Sequence, residues 1–354
     1  MRALVTGATG VVGANLVRVL LSAGIEVRVL VRPGPPRRGL IGLPIDIRQG
    51  DVLDPPSVAS AMGGVELVFH AAARFSYRET SRTELDRVAV DGTRNVVETA
   101  AEAGVGRIVV TSSSVIFGSS PVAEARSESS RLTLEDASGY AMSKVRQTSM
   151  AFATARTLGV DLVAACPALT VGAWDYRLAE SNGALAKYLN DPFRTTFAGG
   201  CNIVAAEEVA RAHMLLARNG VAGHAYLIGG ENVGWPELHA EISALCRTYG
   251  PIVTASHTAA YLTAAWSELV SRGAGVQPAL TRDEVKMMGR WYWYDDRRIR
   301  ELGYRSSPLR STLSGALRWL LRTEFVRPDV RTAIQFAGGL GDDSPVAPRA
   351  AQPV

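Results

Sequence analysis

Apolar positions along the chain keep changing period, and the changes mark out the elements. Residues 2–6 (RALVT) are a short β-rich apolar run. Val12, Leu16, Val19 and Leu20 then recur at helical spacing and predict a helix over 11–24, stopped by Gly24. "EVRVLVR" (26–32) alternates and predicts a second strand, and "PGPPRRG" is a loop. "IDIRQGD" reads as a third strand, "PPSVASAMGG" as a short helix opened by prolines, and "VELVFHAAA" (65–73) as a fourth strand. The alternation continues with a long helix over 82–104, a fifth strand over 106–114, a helix over 139–159 and a sixth strand over 160–172. Strands that alternate with helices imply a parallel sheet with right-handed crossovers. Continuous apolar strands such as "RIVVT" suit a sheet covered on both faces. The expected fold class is α/β, a doubly wound parallel sheet, which binds ligands at the carboxyl ends of its strands.

After Gly172 the rhythm loosens. Loop plus helix is expected over 173–200, then strand and helix over 202–220 and again over 224–250. An aromatic-rich stretch follows, including "RWYWYDDRRI", and then an amphipathic helix over 309–324. The expected division is a dinucleotide-type domain over 1–172, to which 202–230 returns, and a smaller C-terminal substrate lobe over most of 173–325. Residues 326–354, rich in Gly, Pro, Ala and Asp, are expected to fray. "HTAAYLTAAWSELV" (257–270) reads either as a helix packed in that lobe or as one in contact with a membrane surface.

Composition narrows the classes. Hydrophobic residues make up 47% and charged residues 20%, an ordinary globular balance. The net charge is 38 − 34 = +4, too small an excess for a dedicated nucleic-acid binder. Cys166, Cys201 and Cys246 are sparse and odd in number, which fits neither a disulfide framework nor a metal site. His213, His224, His239 and His257 make no metal-ligand spacing, so no metal is expected. No leader is expected before the first strand, and no apolar run is long enough to span a membrane. A reducing cytoplasm fits these features.

Gly7, Gly10 and Gly13 sit three apart, between the first strand and the first helix. A dinucleotide pyrophosphate would rest there, on backbone N–H groups at the positive end of the helix dipole. The spacing is T-G-x-x-G-x-x-G. Together with "YAMSK" (140–144), "GDVLD" (50–54), "HAAA" (70–73), "VDGTRNVVETA" (90–100), "TSSSVIFG" (111–118), "CPALTVG" (166–172), "LIGGEN" (227–232) and "RELGYRSSP" (300–308), it resembles the extended short-chain dehydrogenase/reductase superfamily. Within that Rossmann-fold group the chain is similar to the dihydroflavonol-reductase-like and hopanoid-associated epimerase-like branch, over roughly 1–325.

The resemblance implies a set of site residues. Tyr140 and Lys144 lie one helical turn apart, and a nearby ammonium stabilises a phenolate and lowers its pKa. Tyr140 would be the proton donor, and Ser113 matches the catalytic serine, with Ser112 and Ser114 as rivals. The cofactor cradle would be Thr6, Gly7, Thr9, Gly10, Val11, Val12 and Gly13. Asp51 and Val52 match adenine contacts, while Ala71, Ala72, Ala73, Thr111 and Pro167 match strand ends along the cofactor. Arg32 ends the second strand where an acidic residue would bind a ribose 2′-hydroxyl, and an Arg there accommodates a 2′-phosphate. NADP(H) is therefore expected over NAD(H).

Two positions depart from the family pattern. Ala89 stands where Asn is usual, which leaves the Asn's supporting role unfilled. Ala205 replaces a His, and Glu207 and Glu208 keep the charge before the next helix. His70 reads as structural, and the Trp291–Tyr294 cluster reads equally as a stacking surface or as packing. The expected activity is reduction of a ketone on a bulky small molecule, such as a flavonoid-like or polyketide natural product, by an NADPH-dependent enzyme. The alternatives are a sugar-nucleotide epimerase or dehydratase with tightly held NAD, and a non-enzymatic NADP-binding sensor or scaffold. The long helices 82–104 and 139–159 could form a homodimer seam.

Overall fold

The computed structural model describes residues 1–34, 37–72, 86–133, 137–274, 278 and 280–337. The first six strands are β1 (Arg2–Thr6), β2 (Glu26–Val31), β3 (Asp46–Gln49), β4 (Leu67–His70), β5 (Arg107–Thr111) and β6 (Leu162–Pro167). The later ones are β7 (Leu169–Val171), β8 (Thr196–Phe197), β9 (Gly200–Ala205), β10 (Ala225–Ile228), β11 (Glu231–Gly234), β12 (Thr254–Ala255) and β13 (Trp291–Tyr292). The central sheet has seven strands in the order β3-β2-β1-β4-β5-β6-β10, all parallel. The order reverses between β1 and β4, which opens a crevice at their carboxyl ends.

Alternation along the strands feeds two cores. Ala3 and Val5 of β1 face one side with α1 (Val11–Ser22), and Leu4 faces the other with α2 (Pro55–Met62) and α3 (Gly92–Glu102). α4 (Gly139–Leu158) packs on α3. α5 is Glu180–Asn190 and α6 is Ala206–Asn219, the latter lying against α1 on the first face. Thus β10 and α6 belong to the central sheet's layers although they follow lobe segments in sequence.

Three elements differ from the sequence reading. The apolar run 160–172 is two strands: the chain leaves the central sheet at Ala168, and β7 joins a second sheet beside β9, with β11 and β13. One continuous apolar stretch can serve two sheets because both faces of each strand are buried. The helix expected from 82 is, in its described part, a π turn over Arg87–Asp91 that leads into α3. Residues 326–337, expected to fray, are folded: Val326 and Phe336 are buried in the lobe core with Leu317, Leu320 and Ile242. Ala337 N–H also donates to the Leu245 carbonyl at 2.7 Å. Residues 338–354 of the expected tail lie outside the described residues.

α7 (Trp235–Cys246) completes the lobe core, and α8 (His257–Ala274) lies outside it. α8 packs through Ala260 and Ala264 on Val285 and leaves Leu262, Trp266 and Leu269 exposed. Among the described residues no helix is long and apolar enough to cross a membrane.

Because Phe336 fills the lobe core, Phe336→Ala is expected to lower the unfolding free energy by about 3 kcal/mol in urea denaturation. A frayed segment would give no change.

Candidate active site

The glycine turn follows β1 directly. Gly7 has φ 72°, a left-handed conformation that glycine adopts at no steric cost. A methyl group at Gly7 would overlap the Ala71–Ala72 peptide beyond β4, and one at Gly13 would run into the Gly7 carbonyl. These two glycines let β1, β4 and α1 approach one another. Gly10 is different. It has φ −88° and caps α1 without any side-chain hydrogen bond. A methyl there would meet only the Gly7 carbonyl oxygen, at 3.5 Å. Neither backbone conformation nor protein packing requires glycine at 10, whereas a phosphate seated on the first-turn amides would. The turn therefore fits the pyrophosphate of a dinucleotide, which Gly7, Thr9, Gly10, Val11, Val12 and Gly13 would hold.

The neighbouring strand ends line the same crevice. Asp51 closes its own turn by accepting from Leu53 N–H at 3.0 Å. The Val52 carbonyl is pinned by Asn95 Nδ2 at 2.9 Å, and Gly92 leaves room for its side chain. Ala71 and Ala72 follow β4, and Pro167 ends β6 in a buried position. Ala73 lies outside the described residues. Arg32 is exposed just past β2. Arg177, from the segment after β7, is pulled below the usual guanidinium range by burial and then by the charge of Arg32. That second cation beside Arg32 was not visible in the sequence, since it is 145 residues away by number (177 − 32).

Ser113, Tyr140 and Lys144 gather where β5 ends. Ser138 caps α4 by accepting from Ala141 N–H at 3.1 Å, which places Tyr140 in the first turn and Lys144 one turn on. Tyr140 lies close enough to Ser113 for that hydroxyl to favour its phenolate. Ser112 instead faces the helix, with its hydroxyl 2.6 Å from Thr148 Oγ1. Of the three candidate serines, Ser113 is the one at Tyr140, and it also accepts from Val115 N–H at 3.4 Å. Lys144 is 3% exposed and donates from Nζ to the Thr111 carbonyl at 3.2 Å and to Gln147 Oε1 at 2.9 Å. Thr111 thus meets the site through its backbone, while its hydroxyl is turned to His213 Nε2 at 2.9 Å.

Burial sets the protonation states. It pushes the Tyr140 phenol up to about 12, against the pull of the Ser113 hydrogen bond. It also lowers Lys144 to about 8. The Lys144 ammonium is held by the Thr111 carbonyl and Gln147. Tyr140 keeps its proton through neutral pH. The Trp291–Tyr294 cluster braces the lobe: Trp293 Nε1 donates to the Val233 carbonyl at 3.1 Å and Tyr294 Oη to the Gly118 carbonyl at 3.3 Å.

Two outcomes follow from this geometry. Gly10→Ala is expected to keep its melting temperature within about 2 °C but to lose dinucleotide binding, whereas Gly7→Ala is expected to unfold near or below room temperature. Lys144 is held at about 8 in the folded chain, below its ordinary 10.5. Its cost is therefore full below pH 8 and relieved as pH rises toward 10.5. Relative to Lys144→Met, the wild type should gain stability over that window by up to about 1.4 kcal/mol per pH unit, and none below it, in denaturation curves.

Known proteins agree with this arrangement. Residues 3–229 match the model of the NAD dependent epimerase/dehydratase family. A Synechocystis sp. protein that carries a dihydroflavonol 4-reductase name is 33% identical over 330 residues, 91% of this chain and 95% of that one. A Stigmatella aurantiaca 4-hydroxy-2-methyl-3-oxo-4-farnesyl-3,4-dihydroquinoline-1-oxide ketoreductase is 30% identical, covering 86% of this chain and 92% of its own. Among solved structures, gox2253 superposes with a TM-score of 0.80 at 29% identity, over 92% of this chain and 99% of that one. DesIV, a dTDP-glucose 4,6-dehydratase from Streptomyces venezuelae solved with NAD, gives 0.71 at 25%, over 93% and 99%. The chain belongs to the NAD-dependent epimerase/dehydratase family of extended short-chain dehydrogenases/reductases, and is a nicotinamide-using oxidoreductase that works between alcohol and carbonyl.

Proposed function

We propose that this protein is an NADPH-dependent ketoreductase that reduces a carbonyl on a bulky, largely apolar small molecule to a secondary alcohol. The observation that carries the reading is a buried, protonated Tyr140 beside Ser113, one helical turn from the buried Lys144. The nicotinamide, when bound, supplies a hydride to the carbonyl carbon. Ser113 donates a hydrogen bond to the carbonyl oxygen and aims it at Tyr140. Tyr140 gives that oxygen its phenolic proton and is left as phenolate. Lys144 offsets the new negative charge and holds the nicotinamide ribose.

NADPH is supported by Arg32 and Arg177 at the β2 end, where no Asp or Glu stands to take a ribose 2′-hydroxyl. The reductive direction is supported by reductase-named relatives that match most of the chain. An apolar substrate is supported by relatives whose names refer to a sterol and to a farnesylated quinoline. A second reading, a nucleotide-sugar epimerase or dehydratase that retains NAD, is favoured by the family description and by the likeness to DesIV.

Nucleotide released on denaturation and titration of both dinucleotides separate the two readings. NADPH is expected to exchange freely and to bind at least about tenfold more tightly than NADH, a preference that Arg32→Ala removes. Stoichiometric, non-exchanging NAD would establish the second reading. In a ketone screen, Tyr140→Phe is expected to lower turnover by about 10²–10⁴-fold and leave NADPH affinity unchanged.

A further inference from the structure

An ammonium can only donate hydrogen bonds, and the one on Lys144 sets the direction of a buried chain that crosses the whole site. Gln147 lies one turn along α4, is 0% exposed, and accepts from Lys144 through Oε1 at 2.9 Å. With its oxygen so placed, Gln147 donates through Nε2 to Thr93 Oγ1 on α3, also at 2.9 Å. Thr93 Oγ1 is 2.9 Å from His70 Nε2. His70 is fully buried and is pulled down to about 3 by desolvation and then by the Lys144 charge, so the ring is neutral. Its other nitrogen, Nδ1, is 2.7 Å from Thr6 Oγ1, so in either tautomer the ring links Thr93 to Thr6. Thr6 also accepts from Ala72 N–H at 3.4 Å and directly precedes Gly7.

From Lys144 through Gln147 to Thr93 the ammonium fixes each donor, and leaving one of these buried atoms unpaired costs about 1–3 kcal/mol. Ala89, buried on the π turn four residues before Thr93, brings no polar side-chain atom to this cluster. Gln147 brings both an acceptor and a donor. The other titratable groups around Lys144 are Cys166 on β6, whose thiol burial pushes up to about 12, and Tyr140 on α4. Both are neutral at pH 7.

We propose that Gln147 is the positioning residue for Lys144, and that through Thr93, His70 and Thr6 it locks the ammonium in register with the glycine turn. Its consequence for turnover rests on Tyr140 and Lys144 being the reacting pair, as read above. The positioning itself is measured without substrate. The chain has three lysines, so 13Cε-labelled lysine gives three NMR signals in the full-length protein, with Lys187 and Lys286 as internal references.

Gln147→Leu is expected to lower the Lys144 titration midpoint by about one pH unit, and Gln147→Glu to raise it by about one to three, with Lys187 and Lys286 unmoved. Thr93→Val, which frees the Gln147 amide, is expected to lower the midpoint by less, and it serves if Gln147→Leu does not fold. An unchanged Lys144 midpoint in Gln147→Glu and Thr93→Val overturns the proposal. The 15N spectrum of His70 is expected to show a neutral ring with no titration down to pH 5, and a ring that titrates above pH 5 overturns the buried chain. Because no substrate enters, failure here is distinct from failure of Tyr140→Phe to abolish turnover.

Discussion

A buried ammonium must be surrounded by acceptors, and the requirement of Lys144 organises this site. Its partners come from two elements, the carbonyl that ends β5 and the amide of Gln147 on α4. Satisfying them fixes how α4 sits on the sheet, and so where Tyr140 points. The same placement brings Tyr140 to Ser113 and leaves Ser112 to bind Thr148. The polar chain behind Lys144 then reaches α3, β4 and β1, so five elements are tied to one charge.

Dry surroundings also decide who holds protons. Desolvation disfavours whichever form is charged, so it raises Tyr140 and Cys166 and lowers Lys144, His70 and His213. The result is a site with one cation of reduced affinity for its proton and several neutral donors of fixed direction. His213 shows the pattern away from the reacting groups: Nδ1 donates to the Val209 carbonyl, and Nε2 accepts from Thr111.

The lobe is joined to this scaffold by strands that change sheets. β6 ends at Pro167 within the central sheet, and β7 begins two residues later in the second. β9 pairs with β7, and the chain then returns through α6 and β10 to the central layers. β13 closes the second sheet, and its backbone meets Ser120 in the loop beyond Ser113. The aromatic residues around β13 therefore support the wall of the site from behind.

Local chemistry was legible from the sequence because it repeats at short range. The period of apolar residues identified the βα rhythm, the spacing of Gly7, Gly10 and Gly13 located the turn after β1, and a four-residue interval placed Tyr140 and Lys144 on one helix face. The structure separated roles that look alike in sequence. Gly7 and Gly13 serve packing, while Gly10 leaves space. Of three adjacent serines, the position of α4 puts Ser113 near Tyr140 and Ser112 at Thr148. Gln147 reads as an ordinary polar helix residue until Thr93 arrives from 54 positions away, and His70 meets Thr6 from 64 positions away. Phe336 looks like part of a loose tail until the lobe core closes over it. Periodicity and short motifs are set by neighbours along the chain, so the sequence determined the fold class and the pairing of Tyr140 with Lys144 on one helix. Hydrogen-bond direction and burial depend on groups brought together by folding, so only the tertiary structure decided which side chains hold that pair in place.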